Sequence, residues 1–284
     1  DMVKLSEGAT VMNKKAMGFL TWMLLLAMVM VLAASGETAS ARLLEAPPST
    51  LRSGLAAAPT VVGSVLIPAT PRGIAVNSST HRAYVAVGDG FGNGTNSAPF
   101  YVSVIDGTTD IADIAVGAGD SSTGPTHIAV DETTNRVYVN HTGANFANAI
   151  NAGTNSVIGS IGTGAYPEGI VTNPAANRLY IANTNNGNVS VINTTGDANA
   201  LVTTIGIPGA GAGITNLYLA IIPATNRIFV TAPGLSKIFV IDGGSNTVVQ
   251  TFVVAGNPYA IVANPTTNRL YTATGGTVRV LDAT

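Results

Sequence analysis

Five short segments set side chains with usable chemistry in one recurring context. Pro71-Arg72-Gly73, Pro125-Thr126-His127, Pro167-Glu168-Gly169, Asn216-Leu217-Tyr218 and Pro258-Tyr259-Ala260 place them one or two positions after a Pro, or after Asn216 in its stead. Arg72 offers a permanent positive charge, His127 and Glu168 an acid and a base, and Tyr218 and Tyr259 ring faces with a hydroxyl. Brought together they make a mixed polar and aromatic pocket of the type that binds small ligands or glycans. Kept apart they are ordinary loop variation.

Other constellations are weaker. A metal shared by His81, His127 and His141 would need them to converge, yet His81 falls in a turn away from the other two, and no pair has ligand spacing. No metal is expected. The stretch Gly88-Asp89-Gly90-Phe91-Gly92-Asn93-Gly94-Thr95-Asn96 is rich in oxygen ligands but lacks the alternating carboxylates and closing Glu of a calcium loop. It reads as a surface loop, in which Phe91 is a candidate for apolar contact with a ligand. The chain has no cysteine, which removes disulfides, thiolate nucleophiles and thiolate metal sites. No catalytic residue is assigned and no cofactor is expected.

The elements that carry these residues follow from a repeat. His81-Arg82-Ala83-Tyr84, Asn135-Arg136-Val137-Tyr138, Asn177-Arg178-Leu179-Tyr180, Asn226-Arg227-Ile228-Phe229 and Asn268-Arg269-Leu270-Tyr271 are copies of one pattern. The five arginines are spaced by 54, 42, 49 and 42 residues, and Pro71, Pro125, Pro167, Asn216 and Pro258 each precede theirs by eleven. An apolar stretch lies between, such as Ile128-Ala129-Val130, and a third closes on Asn151, Asn193 or Asp242. A fourth follows at Ile111 to Val116, Ser156 to Ile161, Leu201 to Ile207 and Thr247 to Val254. Short strands of even spacing, broken by Gly, Asn and Pro, are the pattern of propeller blades. The recurring Arg and aromatic residues read as scaffold, the Arg bonding turn carbonyls or a neighbouring blade and the aromatic packing between sheets.

The segments Tyr138-Val139-Asn140 and Tyr180-Ile181-Ala182-Asn183, with strands such as Val189-Ser190-Val191-Ile192, resemble the YVTN-repeat β-propeller family over residues 60 to 284. That resemblance implies an exported propeller on a surface layer or in the periplasm, often with seven blades. Five copies are present here, and blade 4 departs from the pattern with Asn216 for Pro and Phe229-Val230-Thr231-Ala232. The fold expected is all-β, a propeller of five four-stranded blades. Val61 to Ile67 precedes the first copy and reads as a fourth strand, which would complete the last blade and pair both exposed edges. The alternative is a fragment of a six- or seven-bladed ring.

Residues 1–41 read as an upstream extension (1–11) followed by an export signal, with Lys14-Lys15, the apolar run Phe19 to Ala34 and Ala39-Ser40-Ala41, either cleaved or kept as an N-terminal anchor. Residues 42–58 read as a flexible spacer and 59–284 as the propeller. The net charge is −2 and only Lys237 remains of the lysines after residue 41, so nucleic acid is not an expected partner. The expected role is a noncatalytic binding or envelope-display module, periplasmic, cell-surface or extracellular, meeting an envelope protein, glycan or small ligand at one rim. Membrane contact is expected only through an uncleaved N-terminal segment. A lyase or hydrolase at the channel mouth and a surface-lattice subunit are the alternatives.

Overall fold

Asn and His at the turn of each copy decide where the chain reverses. His81, Asn135, Asn177, Asn226 and Asn268, each just before the recurring Arg, all take positive φ between 51° and 59°. This left-handed region is one that Asn tolerates better than most residues. In three of the five copies the Asn or Asp that ends the preceding strand accepts the next two free amides, and in the third and fourth a 3-10 turn opening on Pro174 or Pro223 takes that place. Asp131 Oδ1 receives Thr133 N at 3.0 Å and Thr134 N at 3.1 Å, and Asn77 and Asn264 do the same in their copies. Strand, Asx turn, left-handed residue and Arg-led strand thus form one hairpin module.

The computed structural model describes residues 60–67, 69–88, 100–117, 124–211, 213 and 216–284. Sheet 1 contains β1 (Thr70–Asn77), β2 (Arg82–Gly88), β3 (Phe100–Asp106) and β4 (Thr109–Gly117). Sheet 2 contains β5 (Pro125–Asp131), β6 (Arg136–His141), β7 (Phe146–Asn151) and β8 (Ser156–Gly162). Sheet 3 contains β9 (Pro167–Asn173), β10 (Arg178–Asn183), β11 (Asn188–Asn193) and β12 (Ala200–Gly206). Sheet 4 contains β13 (Tyr218–Ile222), β14 (Arg227–Ala232), β15 (Lys237–Asp242) and β16 (Thr247–Val253), and sheet 5 β17 (Ile261–Asn264), β18 (Arg269–Thr274) and β19 (Thr277–Asp282). Every sheet is an antiparallel meander in chain order. The first strands β1, β5, β9, β13 and β17 pack each on the next as the inner strands of propeller blades.

The core lies between consecutive sheets. Tyr84, Val102 and Val104 of sheet 1 meet Val137 and Val139 of sheet 2. Tyr138 and Ala149 meet Leu179 and Ile181, Tyr180 and Val191 meet Ile228 and Val230, and Phe229 meets Leu270. The recurring aromatic is therefore inter-sheet core, as its repetition implies. The recurring Arg bonds turns of its own or the neighbouring blade: Arg136 of sheet 2 donates to Thr194 O at 3.0 Å, to Gly196 O and to Asp197 in the turn after β11 of sheet 3, and Arg227 meets Asp242 of its own sheet at 2.5 Å.

Sheet 5 differs from expectation. Among the described residues it has three strands, and Val61 to Ile67 forms no strand, so the last blade is not completed by that stretch. Gly63 instead lies against Thr108 in the turn of sheet 1, where a Cβ would come within 2.6 Å of Thr108 Cγ2. Blade 4 is regular where its sequence departs from the pattern, β14 matching β10 in length. The export signal, the spacer and Phe91 with most of its loop lie outside the described residues.

Candidate functional site

Three inner strands begin with the same distortion. The pairing of β1 with β2, β5 with β6 and β9 with β10 loses register just after Pro71, Pro125 and Pro167. The residues set free are Arg72-Gly73, Thr126-His127 and Glu168-Gly169, and a bulge of this kind re-aims side chains out of the pleat. The two glycines let the inner strands approach. A Cβ on Gly73 would stand 2.5 Å from Thr126 O, and one on Gly169 2.7 Å from Leu219 N. In sheet 4 Asn216 stands in the Pro position and β13 pairs with β14 without a bulge, Tyr218 opposite Thr231.

The side chains so placed converge. His127 Nδ1 lies 3.3 Å from Glu168 Oε2, and the Tyr218 ring stands edge-on to His127 with centroids 6.0 Å apart. Arg72 is close enough for its charge to act on both His127 and Glu168, and Tyr218 feels both Glu168 and Tyr259. Asn216 Nδ2 donates to the Tyr218 hydroxyl at 3.0 Å. Tyr259 is 47% exposed and supplies the open side. Five of the six residues singled out in the sequence therefore belong to one cluster, contributed by five successive sheets.

The electrostatics are unusual. Burial pushes the Glu168 carboxyl up to about 7, with Arg72 pulling the other way. His127 is pushed down to about 4 by burial and then by Arg72. Its side chain keeps 36% of its surface, but the Nδ1 edge that faces Glu168 is sealed from solvent. Between these values a neutral imidazole faces a neutral carboxylic acid, and Arg72 carries the charge of the cluster. Such a site offers a cation, a carboxyl donor and two phenol rings.

The supports came from residues outside the candidate set. Asn140, at the end of β6, accepts His127 N at 2.9 Å and Thr126 Oγ1 at 3.0 Å and donates to Glu168 O at 2.6 Å. Thr142 donates to Pro167 O at 3.0 Å. Thr184 accepts Leu217 N at 3.0 Å, and Thr231 donates to Tyr259 O at 2.9 Å. In sheets 2, 3 and 4 the end of the second strand thus fixes the beginning of the following sheet. His141 is not part of the cluster: it stacks on Phe146 at 4.3 Å and meets Asn148 Oδ1 at 2.7 Å. His81 lies in the turn at the opposite end of sheet 1.

No protein family matches this chain, and no curated protein is detectably similar to it. Solved structures are similar in shape. The hydrazine synthase of Kuenenia stuttgartiensis superposes with a TM-score of 0.60 at 15% identity, over 75% of this chain and 71% of that one. The β-propeller domain of Cps50 (Swd1) from Myceliophteria thermophila gives 0.60 at 11% identity, over 78% and 73%. Apo AztD from Citrobacter koseri gives 0.50 at 15%, over 68% of this chain and 49% of that chain. At these identities the likeness is one of fold, and the fold is a β-propeller.

Proposed function

We propose that this chain is a noncatalytic binding module of the cell envelope, exported by its N-terminal segment and related to the YVTN-repeat propellers. Its ligand is a small polar molecule or glycan held at the rim where the inner strands begin. The reading is carried by one observation: Arg72, His127, Glu168, Tyr218 and Tyr259 break the repeat in sequence and meet in space. Residues that recur serve the scaffold, whereas these five fall at positions that vary from blade to blade. An array of neutral and acidic cell-wall saccharides tests it. The wild-type chain is retained on a subset of spots, and the Arg72→Ala/Tyr259→Ala double variant is not. Equal retention of both proteins would overturn the reading.

The contact between His127 and Glu168 favours a second reading, a lyase or hydrolase working at the same mouth. It requires turnover of the saccharides on that array, lost in His127→Ala while the fold is kept. Bound saccharides recovered intact after long incubation would rule it out.

A further inference from the structure

Thirteen described residues other than glycine take positive φ, and ten of them are Asn. His81 and Ser236 are two of the rest, and each holds a turn position that is Asn in another sheet. The third is Tyr166, with φ of 60°. A bulky side chain is strained in this region, where Asn is tolerated, and the proline that follows favours extended backbone. Sheet 5 shows what the fold itself asks of this position. Asn257 also stands immediately before its Pro, with φ of 51°, and its side chain accepts Ser236 Oγ at 3.0 Å.

Tyr166 is held in place from two sides. Its N–H donates to Asn145 Oδ1 at 3.2 Å, and its carbonyl accepts Thr184 N at 2.9 Å. The second bond sets it beside the candidate site, because the Thr184 hydroxyl also accepts Leu217 N, next to Tyr218. Glu168 is two residues further on, at most about 7 Å along the chain. Tyr166 is 38% exposed. Among the described residues its hydroxyl has no hydrogen-bond partner, its ring stacks on no other ring, and it joins none of the core clusters. The strain therefore serves no scaffold contact there, and strain kept at the edge of a site points to function.

We infer that Tyr166 is a further binding residue of the same mouth, and that its ring carries the apolar face of a pyranose. The ligand is then a glycan rather than another small polar molecule. This rests on the binding reading given above. A pyranose presents C–H groups on its faces and hydroxyls around its edge. The exposed phenols Tyr166 and Tyr259 offer ring faces to the first, and Arg72 and Glu168 offer polar groups to the second. A small ion would need only the polar groups, and a strained ring beside them would add nothing for it.

The full-length chain allows stability and binding to be separated. Tyr166→Asn matches the residue type of sheet 5, and Tyr166→Phe keeps the ring. Tyr166→Asn is expected to raise the melting temperature by about 2–4 °C, since the left-handed backbone is relieved. It should also weaken binding of the strongest saccharide from the cell-wall array by about tenfold or more. Tyr166→Phe, the conservative variant, rescues that binding. A melting temperature that fails to rise, or wild-type affinity in Tyr166→Asn, would overturn the inference, and so would an equal loss in Tyr166→Phe. If Tyr166→Asn keeps its affinity while Arg72→Ala/Tyr259→Ala loses it, the rim site stands and only the role of Tyr166 falls. A wild-type chain that binds no saccharide of the array would overturn both.

Discussion

His127 Nδ1 and Glu168 Oε2 stand 3.3 Å apart although neither residue has a neighbour in sequence that announces the other. One comes from the bulge of sheet 2 and the other from the bulge of sheet 3, and Asn140 ties both backbones together. Their protonation behaviour is opposed, which gives the first prediction.

Glu168 keeps its proton up to about pH 7 when folded, against an ordinary value of 4.5. The folded chain holds the extra proton between these values, so this group makes stability fall as pH rises across that window. His127 stays unprotonated down to about pH 4 against an ordinary 6.5. Here the unfolded chain holds the extra proton, and stability rises with pH from 4 to 6.5. The two slopes oppose one another in the wild type. Glu168→Gln leaves a denaturation midpoint that climbs from pH 4 to 6.5, and His127→Gln leaves one that declines from pH 4.5 to 7. Urea melts across this range check it, and parallel profiles in the two variants would contradict the geometry.

Asn140 is fully buried and makes three hydrogen bonds across two sheets. Asn140→Ala removes them and strands His127 N and Glu168 O, at a cost of about 2–4 kcal/mol. Chemical denaturation measures the loss, and saccharide retention should fall with it, since the site is no longer pinned.

Gly73 and Gly169 mark where one inner strand presses on the next. Gly73→Ala and Gly169→Ala drive a Cβ to 2.5 Å from Thr126 O and 2.7 Å from Leu219 N. Backbone must move in both, and each costs about 1–3 kcal/mol. Gly196→Ala is the contrast: its Cβ has open space, and it loses only the positive φ of 66°. Thermal melts should rank the first two as more destabilised.

The Tyr180 hydroxyl is buried between sheets 3 and 4 and has no hydrogen-bond partner among the described residues. Tyr180→Phe should therefore be neutral or slightly stabilising, because it removes a desolvated polar group and keeps the ring. Tyr180→Ala opens a cavity in a fully buried position and costs about 3–5 kcal/mol. A large loss on Tyr180→Phe would mean that the hydroxyl has a role the packing does not explain.

Much of this was legible in the residues. The turn before each Arg, the short apolar strands and the aromatic core positions are local, so the repeat exposed them directly. The rim cluster was legible for a related reason: positions that vary within a repeat stand out against those that do not. Asn140, Thr142 and Thr231 were not legible, because their partners lie in the following sheet and no local pattern encodes that distance. β13 begins regularly at Tyr218 after Asn216, and β17 follows Pro258 without a bulge, so the Pro neither suffices for the bulge nor is needed for the sheet. Val61 to Ile67 misled in the opposite way. Its sequence is that of a fourth strand, yet strand identity leaves open which edge it pairs with, and here it pairs with none.

On the proposed reading, five repeat-breaking side chains form one binding site. The most direct measurement is the affinity of the strongest saccharide from the array for single variants at that rim. Arg72→Ala, Glu168→Ala, Tyr218→Ala and Tyr259→Ala should each weaken binding by about tenfold or more, while His81→Asn, at the opposite end of sheet 1, leaves it unchanged. Wild-type affinity in all four rim variants would contradict the account.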